Sequence, residues 1–222
     1  MNVFEKHELF EIEVLEKLKN KNLLNSFVFG GGTMLRLCYE LNRYSVDLDF
    51  FLLKKINIER FFIDVKKCLE KYYEITDAKN KHNTILFEIK SSEYIRKLKI
   101  EYRKKIVDYD YQQRIAFSKF GNTQVILNVL TLEQALKNKV AAALDRKIIR
   151  DFFDIEFIIR CGFPLKISND ECCKLKKIIN NFSKRDYKVV LGSILDNKTR
   201  AYYTENGFAF LISTLKTARK LF

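Results

Sequence analysis

The residues that decide the fold are 26–53, SFVFGGGTMLRLCYELNRYSVDLDFFLL. Ser26–Phe29 reads as a short strand running into Gly30. Gly30, Gly31 and Gly32 stand side by side in a chain of 222 residues that holds 7 glycines and 1 proline. Such a concentration marks one place where the backbone needs unusual freedom or close approach. Thr33–Leu41 then reads as a helix and Asp47–Leu53 as a second strand. A helix opening straight from a glycine turn presents backbone N–H groups to an anion. The Thr33 hydroxyl is placed either to cap that helix or to bind a phosphate.

Asp47 and Asp49 alternate with Leu48, so on a strand both carboxylates share one face. Val46, Leu48, Phe50 and Leu52 take the other face and read as core. Two carboxylates this close repel unless a cation lies between them. Hard oxygen ligands on one rigid strand suit Mg²⁺, which takes few protein ligands and completes its shell with substrate phosphates. A lone Asp-x-Asp pair is most often a solvated strand face. Behind a strand–glycine–helix unit it becomes a candidate for metal-assisted phosphoryl chemistry.

The run resembles the signature of the DNA polymerase β-like nucleotidyltransferases, in which a Gly-Ser/Thr turn precedes a paired-Asp strand. More narrowly, GGT…R-x-S-x-DLDF is similar to the AbiEii/AbiGii family of toxin nucleotidyltransferases, which includes the MenT-type toxins. The matching residues are Gly31, Gly32, Thr33, Arg43, Ser45, Asp47, Leu48, Asp49 and Phe50. The resemblance implies an α+β fold, a mixed β-sheet flanked by helices and followed by an all-α C-terminal part. It implies an NTP substrate bound around Gly31, Gly32, Thr33, Arg43 and Ser45, with catalytic Mg²⁺ at Asp47 and Asp49. It also implies a toxin with a cognate antitoxin, and RNA, a tRNA 3′ end, as the acceptor.

A site of this type needs another acid from a neighbouring strand. In KLKIEYR, residues 97–103, Lys99, Glu101 and Arg103 share one face and Leu98, Ile100 and Tyr102 the other. A Lys-x-Glu pair on a strand is similar to what the family shows here. The resemblance assigns Glu101 as third metal ligand and Lys99 as a phosphate contact. Glu88, in ILFEIK at residues 85–90, is the competitor for the third carboxylate.

The next charged constellation is LEQALKNKVAAALDRKIIRDFFDIEFI, residues 132–158. On one continuous helix, Lys139, Arg146, Arg150 and Asp154 would fall within about 80° of one face. The resemblance continues as K-x6-R-x3-RD-x2-D, matching Lys139, Arg146, Arg150, Asp151 and Asp154. It implies that Lys139 and one of the arginines contact the nucleotide's phosphates, and that Asp151 or Asp154 is functional. The bland alternative is an exposed face laced with i,i+4 ion pairs.

Outward from these motifs, the pattern predicts helices at 3–21 and 59–72 and strands near 84–90, 97–103, 113–119 and 123–129. After Thr131 it predicts helices at 132–146, 149–160, 169–181, 185–195 and 205–220. This gives a catalytic part, 1–130, and a helical part, 131–222. The net charge is +13, distributed as 0 over residues 1–80, +5 over 81–120, +1 over 121–160 and +7 over 161–222. That asymmetry suits a polyanionic partner such as RNA; a Lys-rich background composition is the alternative. The 5 cysteines form no CxxC pair, which fits neither a disulfide framework nor a zinc site. No apolar run approaches the span of a bilayer and no cleavable leader precedes the first helix, so a cytoplasmic protein is expected. His7 and His82 are isolated and are expected to carry no chemistry. Tyr202 and Tyr203 read as packing residues, with base stacking near Arg200 as the alternative. A small-molecule nucleotidyltransferase and a non-catalytic RNA-binding protein remain the competing functions.

Overall fold

The computed structural model describes residues 1–218. It divides into two compact units, Met1–Glu40 with Tyr44–Thr131, and Leu41–Arg43 with the chain from Leu132 onward.

The first unit is a seven-stranded mixed sheet. Its strands are β1 (Phe27–Gly30), β2 (Asp47–Leu52), β3 (Glu74–Asn80), β4 (Thr84–Lys90), β5 (Leu98–Arg103), β6 (Tyr111–Phe117) and β7 (Gln124–Leu130), in the order β3-β4-β5-β2-β1-β7-β6. β1 runs antiparallel to β2 and parallel to β7, and β2 runs parallel to β5. Helices α1 (Val3–Asn20), α2 (Gly31–Tyr39) and α3 (Ile58–Glu70) pack on one face. That face is built by alternation. Leu48, Phe50 and Leu52 are buried, as are Leu98, Ile100 and Tyr102, while the residues between them are at least partly open. Phe29, Phe50 and Tyr102 stack in sequence at the centre, with ring centroids 5.3 and 4.9 Å apart. Burying such rings is the main favourable term available to this sheet.

α1 begins with a full capping box, in which Asn2 accepts from the Glu5 N–H and Glu5 accepts from the Asn2 N–H. This satisfies helix donors that would otherwise be orphaned. Strand β3 is absent from the sequence-based expectation. EITDAKN lacks a clean apolar alternation because it is an edge strand, held by backbone pairing with β4. Its Glu74, Asp77 and Lys79 are the kind of charges that guard an edge.

The second unit is helical: α4 (Leu132–Arg146), α5 (Ile149–Arg160), α6 (Asn169–Asn180), a π-helical turn (Asp186–Leu191) with a 3₁₀ turn (Gly192–Ile194), α7 (Asn197–Asn206) and α8 (Ala209–Ala218). The expected helices at 132–146 and 149–160 are α4 and α5, parted where Lys147 adopts φ 56°. One expectation needs correction: residues 205–220 are not one helix, because Gly207 at φ 55° separates α7 from α8. Residues 219 and 220 lie outside the described residues. Within this unit Glu156 is fully buried and accepts from the Tyr203 hydroxyl at 2.9 Å, from Arg160 and from the Leu211 N–H at 3.2 Å. One carboxylate thus ties α5, α7 and α8 together. Leu41–Arg43 joins this unit through Arg43, which bridges to Leu195 and bonds to Asp154.

Candidate active site

The end of β1 and the start of α2 meet the aspartate strand at very short range. Gly30 pairs with Asp49 across the antiparallel ladder. Gly31 sits at φ 77°, and a Cβ there would collide with the Asp49 carboxylate oxygen and lie 3.0 Å from Asp49 Cβ and Cγ. Only glycine satisfies both the left-handed backbone and this approach. A Cβ on Gly30 would meet Phe51 Cε2 at 2.5 Å and Leu130 Cδ1 at 2.9 Å. α2 starts at Gly31 without any side-chain cap, so its first-turn N–H groups are not taken up by a capping side chain. Thr33 differs from expectation. It is fully buried and its hydroxyl donates to Glu11 Oε1 at 3.3 Å. The hydroxyl therefore anchors the turn to α1, and any anion at this turn would meet backbone N–H groups rather than the threonine side chain.

Asp47 and Asp49 lie on the open face of β2, as the alternation predicts. The parallel pairing with β5 puts Lys99 beside Asp47 and Glu101 beside Asp49. Lys99 Nζ lies 3.0 Å from Glu101 Oε2, and Arg103 Nη2 lies 3.6 Å from Glu101 Oε1. Partial burial alone would lower the Lys99 pKa, but Glu101, Asp47 and Asp49 outweigh it and hold the ammonium charged above its ordinary range. Glu88 is next to Lys99 on β4. Its carboxylate is occupied by Lys97 at 2.7 Å and Thr76 at 2.6 Å, which together depress its pKa. Register thus gives Glu101, not Glu88, the place beside Asp49. The three acids share a face without converging: among the described residues no group of three His, Cys, Asp or Glu side chains forms a metal-binding cluster. Asp47 and Asp49 supply the hard oxygen donors that Mg²⁺ takes, whereas Glu101 is engaged by Lys99 and Arg103. Ser45, two residues before Asp47, is half-buried.

Sequence reading missed the support behind this face. His7, Glu8 and Glu11 of α1 are all buried. His7 Nε2 lies 3.1 Å from the Val46 carbonyl and 3.7 Å from Glu11 Oε1. Glu8 accepts from Arg36 at 2.8 Å and from the Ser118 hydroxyl at 2.7 Å. Burial, then the neighbouring Glu8, pushes the Glu11 carboxyl well above the usual range, and burial lowers the His7 imidazole. The signal was present: His7, Glu11, Val14 and Leu18 follow the helical spacing of the buried stripe. His7 is thus a buried residue of the α1 core face.

In the second unit, α4 and α5 bring together the charged residues that the sequence placed on a single stripe. Arg43 holds Asp154 in a two-pronged bond, Nε to Oδ1 at 2.6 Å and Nη2 to Oδ2 at 2.7 Å. Lys139 Nζ lies 2.6 Å from Asp154 Oδ2 and 3.5 Å from Asp151 Oδ1. Arg146 bonds both oxygens of Asp151, at 2.8 and 3.0 Å. Arg43, Asp151 and Asp154 are buried. Burial would raise the Asp154 carboxyl, but Arg43 and Lys139 outweigh it and hold it below the ordinary carboxylate range. Arg150 is exposed and stands outside this network. Tyr203 is a core residue, whereas Tyr202 is exposed.

A family model described as nucleotidyl transferase AbiEii toxin, type IV toxin–antitoxin system, matches residues 13–211. No curated protein matches the sequence. Several solved structures share the fold. One is an H. pylori protein to which nucleotidyltransferase activity is ascribed, with 23% identity and a TM-score of 0.58, covering 94% of this chain and 96% of that one. JHP933 from Helicobacter pylori has 20% identity and a TM-score of 0.58, with 96% and 95% covered. MenT4, a nucleotidyltransferase toxin from Mycobacterium tuberculosis, has 15% identity and a TM-score of 0.56, with 97% and 86% covered. The mixed sheet with flanking helices is the architecture the sequence led one to expect.

Proposed function

This chain belongs to the AbiEii family of nucleotidyl transferase toxins of type IV toxin–antitoxin systems, and on that premise we propose that it transfers a nucleotide from an NTP to an RNA acceptor, a tRNA 3′ end, in the cytoplasm. The family implies an NTP substrate and a cognate antitoxin. No helix among the described residues is long and apolar enough to cross a membrane.

The observation that carries the reading is the fit of Asp49 against Gly31, with Lys99 and Glu101 in register on the next strand. Asp47 and Asp49, with Glu101 beside them, would hold Mg²⁺, which when bound supplies positive charge to the phosphate oxygens. The first-turn N–H groups at Gly31, Gly32 and Thr33 receive a phosphate of the NTP. Lys99, kept charged by its acidic neighbours, adds a phosphate contact. The acceptor hydroxyl oxygen bonds to the α-phosphorus, its proton is lost, and the bond to the bridging oxygen breaks to release pyrophosphate. Such chemistry asks for positioning and charge neutralisation rather than a side-chain nucleophile. In this reading the part up to residue 130, with Ser45, is catalytic. For the helical part, the family resemblance gives Lys139, with Arg146 or Arg150, a phosphate-binding role, and within that part Asp151 and Asp154 hold Lys139 in place, with Arg43 sharing Asp154.

Incubation with each labelled NTP and total RNA, with and without chelator, tests this. Label on tRNA that requires divalent cation is expected. No label on RNA with any NTP overturns the RNA acceptor and returns the enzyme to a small-molecule substrate.

A further inference from the structure

The face that carries the aspartates continues past β1 to the edge of the sheet. Glu101 lies beside Asp49, and Asp49 beside Gly30. Gly30 abuts Leu130, and Leu130 faces Tyr111. A single row of neighbours therefore runs from the carboxylates to the edge strand β6, with Gly30 and Leu130 buried between the two. Along the same face of β6 follow Gln113, Ile115 and Phe117, opposite Asn128, Ile126 and Gln124 of β7. This strip is open: Tyr111 is 48% exposed, Ile115 48%, Phe117 37% and Ile126 56%. The only charge on β6, Arg114, is turned to the other face, its guanidinium 4.5 Å from the Tyr39 ring. Neither β6 nor β7 contains an acidic residue. β3, at the opposite edge, is guarded by charges; β6 is not.

We propose that the β6–β7 strip binds the single-stranded end of the acceptor RNA, with bases stacked on Tyr111 and Phe117 and packed over Ile115 and Ile126. The inference rests on the RNA-acceptor reading above and adds the surface that the acceptor uses. Aromatic side chains on an open sheet are a recurrent platform for unstacked bases. The amides of Gln113 and Asn128 lie between these apolar groups, where they can meet base edges. Length selects the acceptor rather than the NTP. From Tyr111 to Phe117 the strip spans roughly 20 Å, and its first row lies roughly 14 Å, three strand spacings, from Asp49. A nucleotide whose phosphates sit at the aspartates does not fill it; a strand delivering its terminal hydroxyl there does. The absence of acids on the strip leaves nothing there to repel a polyanion.

The test measures binding of a labelled single-stranded oligoribonucleotide, and of a base-free phosphate chain of the same length, to the full chain. Wild type, Tyr111→Ala, Phe117→Ala and the double variant are compared, together with NTP binding, melting temperature and oligomeric state. The double variant is expected to bind the oligoribonucleotide at least about tenfold more weakly. Its melting temperature, NTP affinity and affinity for the base-free chain should stay at wild-type values. Transfer to RNA by wild type, with oligonucleotide binding unchanged in the variants, overturns the strip and leaves the enzymatic reading intact. Equal losses for both chains, or a wild-type dimer that the variants dissociate, also overturn it, the latter in favour of edge pairing between copies. Absence of any transfer to RNA is a separate failure, of the acceptor reading itself.

Discussion

Gly31 combines two constraints that usually occur apart, a left-handed backbone and a side chain pressed against its Cα. Gly31→Ala should therefore cost about 1–3 kcal/mol of stability from the strained backbone and displace the Asp49 carboxylate as well. Chemical denaturation and transfer assays on the same variant check both parts, and wild-type activity would show that Asp49 position is unimportant. Asp49→Ala separates the effects, since it removes the carboxylate without straining the backbone. It should reduce nucleotide transfer by at least about a hundredfold, in line with losing a ligand of the cation that neutralises transition-state charge, while the protein melts within a few degrees of wild type. At this scale the sequence was most informative where residue identity is forced by covalent geometry. Three adjacent glycines and an alternating acid pair can be recognised without a structure, because alternation on a strand allows one outcome. Thr33 was misread for a physical reason. Its partner Glu11 is 22 positions away, and no local pattern says which of two hydrogen-bonding roles a hydroxyl will take.

At the scale of elements, two buried polar clusters set how helices are held. In the helical unit, Asp154 links α5 to Arg43 and to Lys139 of α4. Asp154→Ala leaves the buried Arg43 guanidinium without its carboxylate. Breaking a buried ion pair from one side typically costs about 3–5 kcal/mol, so the urea midpoint should fall accordingly; an unchanged midpoint would mean that the pair is not formed in solution. In the sheet unit, α1 is held by carboxylates. Glu11 has its pKa raised above the ordinary 4.5, first by burial and then by Glu8, with Asp47 adding to the effect. An acid whose folded pKa is raised contributes stability that is complete below its unfolded pKa and is lost as pH rises through the folded value. Wild type should thus lose stability as pH rises above the ordinary glutamate range relative to Glu11→Gln, which cannot titrate. Melting curves of both proteins across that rise in pH decide it, and a constant difference would mean that Glu11 is ionised in the fold. Elements with strong periodicity, such as α1, β2 and β5, were legible. β3 was not, because its stability comes from a neighbour's backbone. The break at Gly207 was not, because a lone glycine inside a helical pattern is often tolerated there.

For the whole molecule the question is what the charge does. In the sheet unit Lys79, Lys90, Lys97, Lys99 and Arg36 each stand in an ion pair, while Lys54, Lys55 and Lys105 are exposed and enter none of those among the described residues. In the helical unit Lys177, Lys184, Arg185, Lys188 and Lys198 are exposed and enter none of the ion pairs among the described residues. Net charge alone could not separate a solubilising background from a binding surface, since composition counts a paired lysine and an unpaired one alike. Pairing distinguishes individual side chains: unpaired cations keep their full field for an external polyanion. Each phosphate they neutralise on a single strand releases counterion and contributes about 0.7 to the slope of log K against log salt. Reversing Lys184, Arg185 and Lys188 to glutamate should therefore weaken RNA binding and reduce the magnitude of that slope by roughly two, while NTP binding in the sheet unit is preserved. A salt series on wild type and the triple variant measures this. Parallel slopes would assign the charge of this unit to solubility and leave the acceptor to be gripped by the sheet unit alone.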